Sequence, residues 1–231
     1  MASNDEQSFR SFSYDDELKK ARWYHEDLQA GGWREVKMRN ATFWVKSFDD
    51  QAIPTKMLIK FDVPFSAKQF TEVLSPKNME YRKKWDKAFF ANEVLEEYPE
   101  NGGYIITNTR EFPWPLSDRE FVLFIPRTKE VDWYGKPAFH VIYINAWHSS
   151  RPANEGACVR ATNGGNFFIV IPDENDPDNA CTVFGLAHNH FNGWLPNANI
   201  EWLISRIAPK AFSKFIASLF EGHKMFFESK E

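Results

Sequence analysis

The chain has 231 residues, of which 43% are hydrophobic and 26% charged, and this suits one large folded domain without internal repeats or linkers. A net charge of −4 and a longest basic cluster of three residues exclude a general attraction for nucleic acid. No stretch approaches the roughly 18 consecutive apolar residues of a membrane span, and the acidic N-terminus has no targeting pattern. We therefore expect a cytoplasmic, monomeric protein.

Aromatic residues make up 16% of the chain, including 22 Phe. Such bulk fills a large core or lines a large apolar pocket, and composition alone does not choose between them. The two cysteines, Cys158 and Cys181, are too few for a disulfide framework, and we expect both to be free thiols.

The first predicted element is a helix over residues 15–29, which follows a flexible tail over residues 1–14 and opens one domain over residues 15–226. Three acidic residues lie in the first turn of this helix and a Gly-Gly pair follows its end, as is typical of helix termini. Its inner edge is expected at Leu18, Ala21, Arg22 and His25.

The middle of the chain alternates β-rich segments with turn residues. Strands are predicted at residues 33–38, 42–48, 55–63, 88–97, 103–109, 119–127, 138–146, 158–171 and 180–189. Helical spacing interrupts them at residues 65–74 and 79–84. Strand after strand at close spacing predicts one curved antiparallel sheet of about nine strands.

The last predicted element is a long amphipathic helix over residues 199–219. Its apolar residues recur with the i, i+3, i+4, i+7 spacing of one broad apolar face. Pro209 removes one backbone donor and is expected to kink the helix near Ser205 and Arg206. The class is therefore α+β, with this helix lying across the concave side of the sheet over a space that is either filled or hollow.

Four sequence motifs resemble the START lipid-transfer family. They are YRKKWD at residues 81–86, FPWPLSDREFV at 112–122, GWLP at 193–196 and IAPKAF at 207–212. Their order matches the family over about residues 15–226, and the closest likeness is to the phosphatidylcholine transfer protein subgroup. The resemblance implies a helix-grip fold that encloses one lipid between the sheet and the last helix.

The resemblance also implies a role for Arg82 and Asp86, which lie four residues apart and face the same side of a helical turn. In phosphatidylcholine-binding relatives the matching arginine contacts the lipid phosphate and the aspartate holds the arginine. A guanidinium suits phosphate oxygens because it pairs with them in a bidentate way. The alternative is a surface ion pair worth roughly 0–1 kcal/mol.

The sequence departs from these relatives where they surround choline with aromatic rings. The matching positions here are Asn108, Phe121 and about Gly164, so one ring of the cage remains. Another head group, a sterol, a sphingolipid or a carotenoid pigment therefore stays open as the ligand.

Other candidate ligand contacts come from the loops and the last helix. The loop at residues 111–118 either covers a cavity mouth with Trp114 or folds that ring into the core. His188 and His190 are expected on one face of a strand, where one of them offers a polar contact to the ligand. Charged residues 118–120 are expected to form structural ion pairs. The remaining candidates are Trp147, Leu203, Ile207, Phe212 and Phe215.

Three functions remain, and the first is a non-catalytic carrier that moves one lipid between membranes and touches their surface transiently. The second is a lipid, sterol or pigment sensor with the same cavity. The third is an enzyme on this scaffold, for which Arg82, Asp86 and one of the two histidines are the only evident groups. No nucleophile or phosphate-loop motif is present, and no further ligands accompany the histidines, so we expect no enzyme, metal or cofactor.

Overall fold

The computed structural model describes residues 9–38, 40–48, 55–87, 91–100, 102–112, 117–152, 158–193 and 200–228, with backbone only for residues 10 and 200–207. Its helices are α1 (Tyr14–Ala30), α2 (Ala67–Leu74), α3 (Met79–Trp85) and α4 (Ile200–His223). Its strands are β1 (Arg34–Lys37), β2 (Ala41–Ser47), β3 (Thr55–Val63), β4 (Ala91–Tyr98), β5 (Gly103–Arg110), β6 (Arg119–Ile125), β7 (Lys129–Trp133), β8 (Lys136–Asn145), β9 (Val159–Arg160), β10 (Thr162–Asn163), β11 (Asn166–Pro172), β12 (Cys181–Ala187) and β13 (Asn189–His190). Short 3-10 turns lie at Phe9–Ser11 and Pro76–Asn78, and a π-helical turn lies at Lys224–Glu228.

Nine strands form the continuous path of the sheet, in the order β1-β2-β3-β12-β11-β8-β6-β5-β4. Neighbours on this path are antiparallel, and the predicted sheet of about nine strands is confirmed. β7 pairs with β8 beside the path, β9 runs parallel to β6, and β10 pairs with β13 separately.

The single strand predicted for residues 158–171 is three strands, β9, β10 and β11. The Asn163 side-chain oxygen accepts hydrogen bonds from the backbone N–H groups of Gly165 and Asn166, which turns the chain there. Gly165 has φ +95°, a conformation that glycine adopts without strain. Local side-chain bonding therefore interrupts a pattern that looks continuous in the sequence.

The outer face of the sheet, defined by Leu58, Phe167 and Phe184, is covered by α1. Ala21 and Tyr24 of this helix are buried against it, and the Ser13 side chain caps the first turn by accepting from the Asp16 N–H. The predicted helix is confirmed. Of the four residues expected on its inner edge only Ala21 is fully buried, and the other three are half-buried. Tyr24, which was not expected there, is the second fully buried residue of the helix.

The inner face, defined by Phe43, Phe61 and Phe168, is covered by α2 and α4. Phe212 of α4 lies 5.5 Å from Phe43 between ring centroids, and Phe215 stacks on Phe168 at 6.1 Å. The predicted C-terminal helix over the sheet is confirmed, and it contains Pro209 as expected. None of the helices in the described ranges is long and apolar enough to cross a membrane.

Residues 9–14 differ from the tail that the sequence predicts. Phe9 is buried, and its ring lies 5.2 Å from Phe124 and 6.3 Å from Tyr98. The Tyr14 hydroxyl donates to the Arg127 carbonyl at 2.9 Å. The ring contacts of Phe9 and the hydrogen bond of Tyr14 therefore hold residues 9–14 against the sheet.

Candidate ligand-binding site

The Arg82–Asp86 ion pair lies inside the molecule, between α3 and the inner face. The Arg82 Nε donates to the Asp86 carboxylate at 2.8 Å, and the two residues are 4% and 3% exposed. The sequence predicted the pairing, and burial rules out the alternative of a surface ion pair. Desolvating two charges costs about as much free energy as their attraction returns, so a gain in stability does not by itself explain why this pair is buried.

Two further groups support the Arg82 guanidinium. Its Nη1 donates to the Leu74 carbonyl at 3.5 Å, and the Tyr143 hydroxyl lies close enough to favour the charged form of the same side chain. Burial by itself lowers the pKa of Arg82, but Asp86 and Tyr143 outweigh it and raise that pKa above its ordinary value. Burial also raises the pKa of the Tyr143 hydroxyl. Arg82 therefore stays charged and Tyr143 stays neutral.

A second arginine, Arg110, belongs to the same cluster. Burial lowers its pKa, and Asp86 lies close enough to raise it again in part. The Asp86 carboxylate thus favours the charged form of both Arg82 and Arg110. The sequence analysis missed Arg110 because nothing in the chain order shows that the end of β5 approaches α3.

Next to the charged cluster lies a row formed by Asn92, Asn108 and Phe121. Asn108 pairs directly with Asn92 on β4 and with Phe121 on β6, so all three side chains share the inner face. The asparagines are 5% and 4% exposed, and in the described part of the chain neither side-chain oxygen has a hydrogen-bond partner. The structure therefore brings the predicted Asn108 and Phe121 together and adds Asn92. The sequence signal for Asn92 was its position two residues before Val94, which puts both side chains on one face of the strand.

The two predicted histidines do not join this site. His188 lies between β12 and β13, and its Nε2 is 2.7 Å from the buried Lys56 Nζ, on the side of the sheet near Phe48. His190 is exposed and contacts Asn192. The prediction that both lie on one strand face is wrong because the strand breaks at residue 188. Gly164 lies against the His188 ring rather than beside Asn108.

Buried Arg119 connects the segments on either side of the site. Its guanidinium donates to the carbonyls of Ser117, Phe191 and Asn192, the last two at 2.6 and 3.2 Å. It also lies over the Phe112 ring, 5.0 Å from the centroid. Residues 118–120 were predicted to form structural ion pairs. Glu120 does so with Arg160, at 2.8 Å between Oε2 and Nη2. Arg119 instead donates to backbone carbonyls.

The remaining predicted contacts fall in different places. Phe212 and Phe215 face the sheet from α4. Trp147 is half-buried in the segment after β8. Trp114 and the side chains of Leu203 and Ile207 lie outside the described residues.

Comparison with known proteins identifies the family. The START domain family model matches residues 17–223, and the chain therefore belongs to the START domain family. No curated protein matches the chain.

Solved structures share the fold at low sequence identity. Human STARD10 superposes with a TM-score of 0.69 at 19% identity, covering 92% of this chain and 84% of that one. Human StAR-related lipid transfer protein 5 gives 0.68 at 14% identity, covering 93% and 99%. A STAR-related lipid transfer protein fragment from Xanthomonas axonopodis gives 0.60 at 16% identity, covering 84% and 99%.

Proposed function

We propose that the protein is a non-catalytic carrier that holds one lipid between the inner face and α4 and moves it between membranes. The observation that carries the proposal is the buried Arg82–Asp86 pair at one end of an otherwise apolar face. A charged group in such a place suits a ligand that is polar at one end and apolar along its length. The names of the similar structures, two of which are lipid transfer proteins, agree with this function.

The two faces of the sheet differ in how completely their side chains are buried, and this difference supports room for acyl chains on the inner face. On the outer face, Phe167 and Ile169 are fully buried under α1. On the inner face, Tyr143, Phe168 and Phe212 keep accessible surface although helices lie over that face. An acyl chain placed against these rings gains about 0.8 kcal/mol for each methylene removed from water.

At the polar end, the Arg82 guanidinium is the group that binds the lipid phosphate. Asp86 holds it through Nε, which aims the planar guanidinium and keeps it charged. A guanidinium carries five N–H donors, more than Asp86 and the Leu74 carbonyl occupy, and the others pair with the phosphate oxygens. In this proposal the lipid leaves with the same covalent structure, and this is supported by the position of the two candidate histidines away from the site, His188 beside Lys56 and His190 at the surface.

Loading requires an opening, and the bonds of Arg119 mark where it forms. They join the segment before β6 to residues 191–192, which precede α4. Breaking them at a membrane surface would separate these two segments. The Trp114 ring, which the sequence leaves either at the mouth or in the core, is the group we propose to contact the membrane.

Transfer between liposomes tests the carrier. The protein should accelerate movement of a fluorescent phospholipid from donor to acceptor vesicles, and mass spectrometry should recover the supplied lipid unchanged. Arg82→Gln should lower the transfer rate by about ten- to a hundredfold, since one charge-assisted contact is worth roughly 1.5–3 kcal/mol.

Lys83→Gln is the matched control. Lys83 lies on the same helix but is exposed and pairs with Glu80, so its loss should leave transfer unchanged. Folded wild-type protein that accelerated no exchange would refute the carrier.

A further inference from the structure

We infer that Trp23 of α1 is a membrane anchor, which seats the protein on a phospholipid surface with one end of the sheet towards the bilayer. That end, the opening end, is the one at which β6 begins with Arg119. Arg119 holds the two segments that the proposed carrier separates on loading, so the inference rests on that function. It adds a contact surface made by aromatic rings outside the lipid site.

The opening end extends over several strands, because neighbours on the path β2-β3-β12-β11-β8-β6 are antiparallel. The residue pairs at this end are Ser47–Thr55, Met57–Ala187, Phe167–Leu186, Tyr143–Asn166 and Leu123–Asn145. His188 follows β12 at the same end and lies beside Lys56 of β3. Further along the chain, the Phe191 carbonyl accepts from Arg119. The segment from His188 to Phe191 therefore connects the β2–β3 part of this end with the segments that Arg119 holds.

α1 crosses the outer face with one side towards the opening end. Lys20 approaches the Gly165 backbone in the turn before β11, where an added Cβ would meet its amine. One helical turn later, the Trp23 ring lies 5.7 Å from the Phe48 ring, between centroids, just after the end of β2. Trp23 is 46% exposed although it contacts Phe48 and Tyr24. This side of α1 thus presents a solvent-exposed indole ring at the opening end.

The other side of α1 faces the opposite end of the sheet. The β7–β8 hairpin lies there, since it precedes β8, whose last residue is at the opening end. Its Tyr134 hydroxyl donates to Glu26 of α1 at 2.9 Å, and the Arg22 guanidinium lies 5.6 Å from the ring centroid. Tyr134 is 48% exposed. The chain thus has an aromatic ring of nearly equal exposure at the end away from the opening, which is a matched control for Trp23.

The charges near Trp23 and Phe48 favour a contact made by the rings. Each of the nearby lysines is paired with a carboxylate, in the pairs Lys19–Asp16, Lys20–Glu17 and Lys46–Asp27. These pairs leave no excess of positive charge among them that would attract an anionic surface. A tryptophan ring suits the bilayer interface because its body is apolar and its indole N–H is polar. The partner is therefore the interfacial layer of a phospholipid bilayer, whatever the charge of its head groups.

Flotation with phosphatidylcholine vesicles tests the anchor. Trp23→Asn should weaken vesicle binding about tenfold, because a ring that is almost half exposed no longer enters the interface. Tyr134→Asn should bind within about twofold of the wild type. Asparagine is the replacement because it tolerates the positive φ of Tyr134. Binding should also change less than about twofold between low and high salt, since exposed ion pairs contribute little.

A fluorescent label locates the contact without a loss of binding. Nitrobenzoxadiazole is attached to Trp23→Cys and, separately, to Tyr134→Cys, each combined with Cys158→Ser because the remaining Cys181 is buried. On vesicles, the emission of the label at position 23 should shift to the blue, and that of the label at position 134 should not. This measurement carries the test if thermal unfolding shows that Trp23→Asn is not folded.

The outcomes separate the anchor from the carrier. Absence of lipid exchange, with vesicle binding that still depends on Trp23, would refute the carrier and leave the membrane contact standing. Lipid exchange with equal vesicle binding by the wild type and Trp23→Asn, or with labels that respond alike, would refute the anchor alone. Light scattering tests for a second copy of the chain as the occupant. A wild-type dimer that Trp23→Asn converts to a monomer, with vesicle binding unchanged, would also overturn the inference.

Discussion

Asp86 is the residue on which the charges of the site depend. It accepts from the Arg82 Nε at 2.8 Å and also stabilises the charged form of Arg110. Arg82 has further partners in Leu74 and Tyr143, so its loss leaves a carboxylate that Arg110 still faces. Loss of Asp86 instead removes the carboxylate that favours the charged form of both arginines.

This asymmetry predicts the order of two substitutions. Asp86→Asn should destabilise the protein by about 3–5 kcal/mol, the usual cost of breaking a buried pair, and by more than Arg82→Gln. Urea unfolding of the two variants measures the difference. Equal or reversed costs would mean that Arg110 does not share the carboxylate.

His140 makes a second prediction at the scale of one residue. It is buried on the outer face beside Phe167, and neither ring nitrogen has a hydrogen-bond partner among the described residues. Burial, with a smaller contribution from Lys20, lowers the pKa of His140 to about 3. In the unfolded chain His140 binds a proton below about pH 6.5, whereas in the folded protein it stays neutral until about pH 3. The free energy of unfolding therefore falls as the pH drops from about 6.5 towards 3.

The slope from His140 approaches about 1.4 kcal/mol per pH unit within that window, and the expected loss is roughly 2.7 kcal/mol between pH 7.5 and 4.5. His140→Leu removes this contribution. Urea unfolding at pH 7.5 and 4.5 should therefore show a smaller loss of stability in the variant than in the wild type. Identical losses would mean that His140 titrates normally in the folded protein.

At the scale of elements, the contact between α3 and α4 positions the Arg82–Asp86 pair. The Gly222 backbone of α4 lies so close to Trp85 of α3 that an added Cβ would stand 2.5 Å from the indole ring. Trp85 is buried, and Arg82 lies 5.9 Å from its ring centroid. The missing side chain at Gly222 therefore allows α4 to hold the helix that carries the ion pair.

Gly222→Ala tests this contact. Alanine favours a helix over glycine by about 1 kcal/mol, but the clash should reverse that gain and leave the variant less stable by about 1–3 kcal/mol. Ser213→Ala, at an exposed position of α4, reports helix propensity alone and should be close to neutral. A Gly222→Ala variant more stable than wild type in thermal unfolding would show that the two helices do not pack this closely.

Elements with a strong local pattern were predictable from the sequence, and those that depend on neighbours were not. β3 occupies the predicted residues 55–63, and α4 follows the apolar stripe from residue 200. β7 was missed because its charged, five-residue sequence becomes a strand only through the hairpin at Tyr134–Gly135, where both φ angles are positive. Backbone pairing with β8 therefore makes this segment a strand, although its own residue pattern does not indicate one.

For the whole molecule, the resemblance in four short motifs was sufficient to predict the fold and the Arg82–Asp86 pair. The rest of the polar site required the tertiary structure. Arg110 and Asn92 lie on strands whose pattern shows which residues alternate but not which face meets α3. The histidine pair failed for a related reason, since a break in one strand sends His188 towards Lys56 and His190 to the surface.

The central claim is that a lipid lies between the inner face and α4, and photo-crosslinking tests it most directly. A phospholipid with a diazirine in its acyl chain is loaded from vesicles, photolysed on the isolated protein, and the labelled peptides are mapped by mass spectrometry. We predict labels on α4 around Phe212 and Phe215 and on the strand that carries Phe43. Labels confined to α1 and β7, which lie on the outer face, would contradict the account.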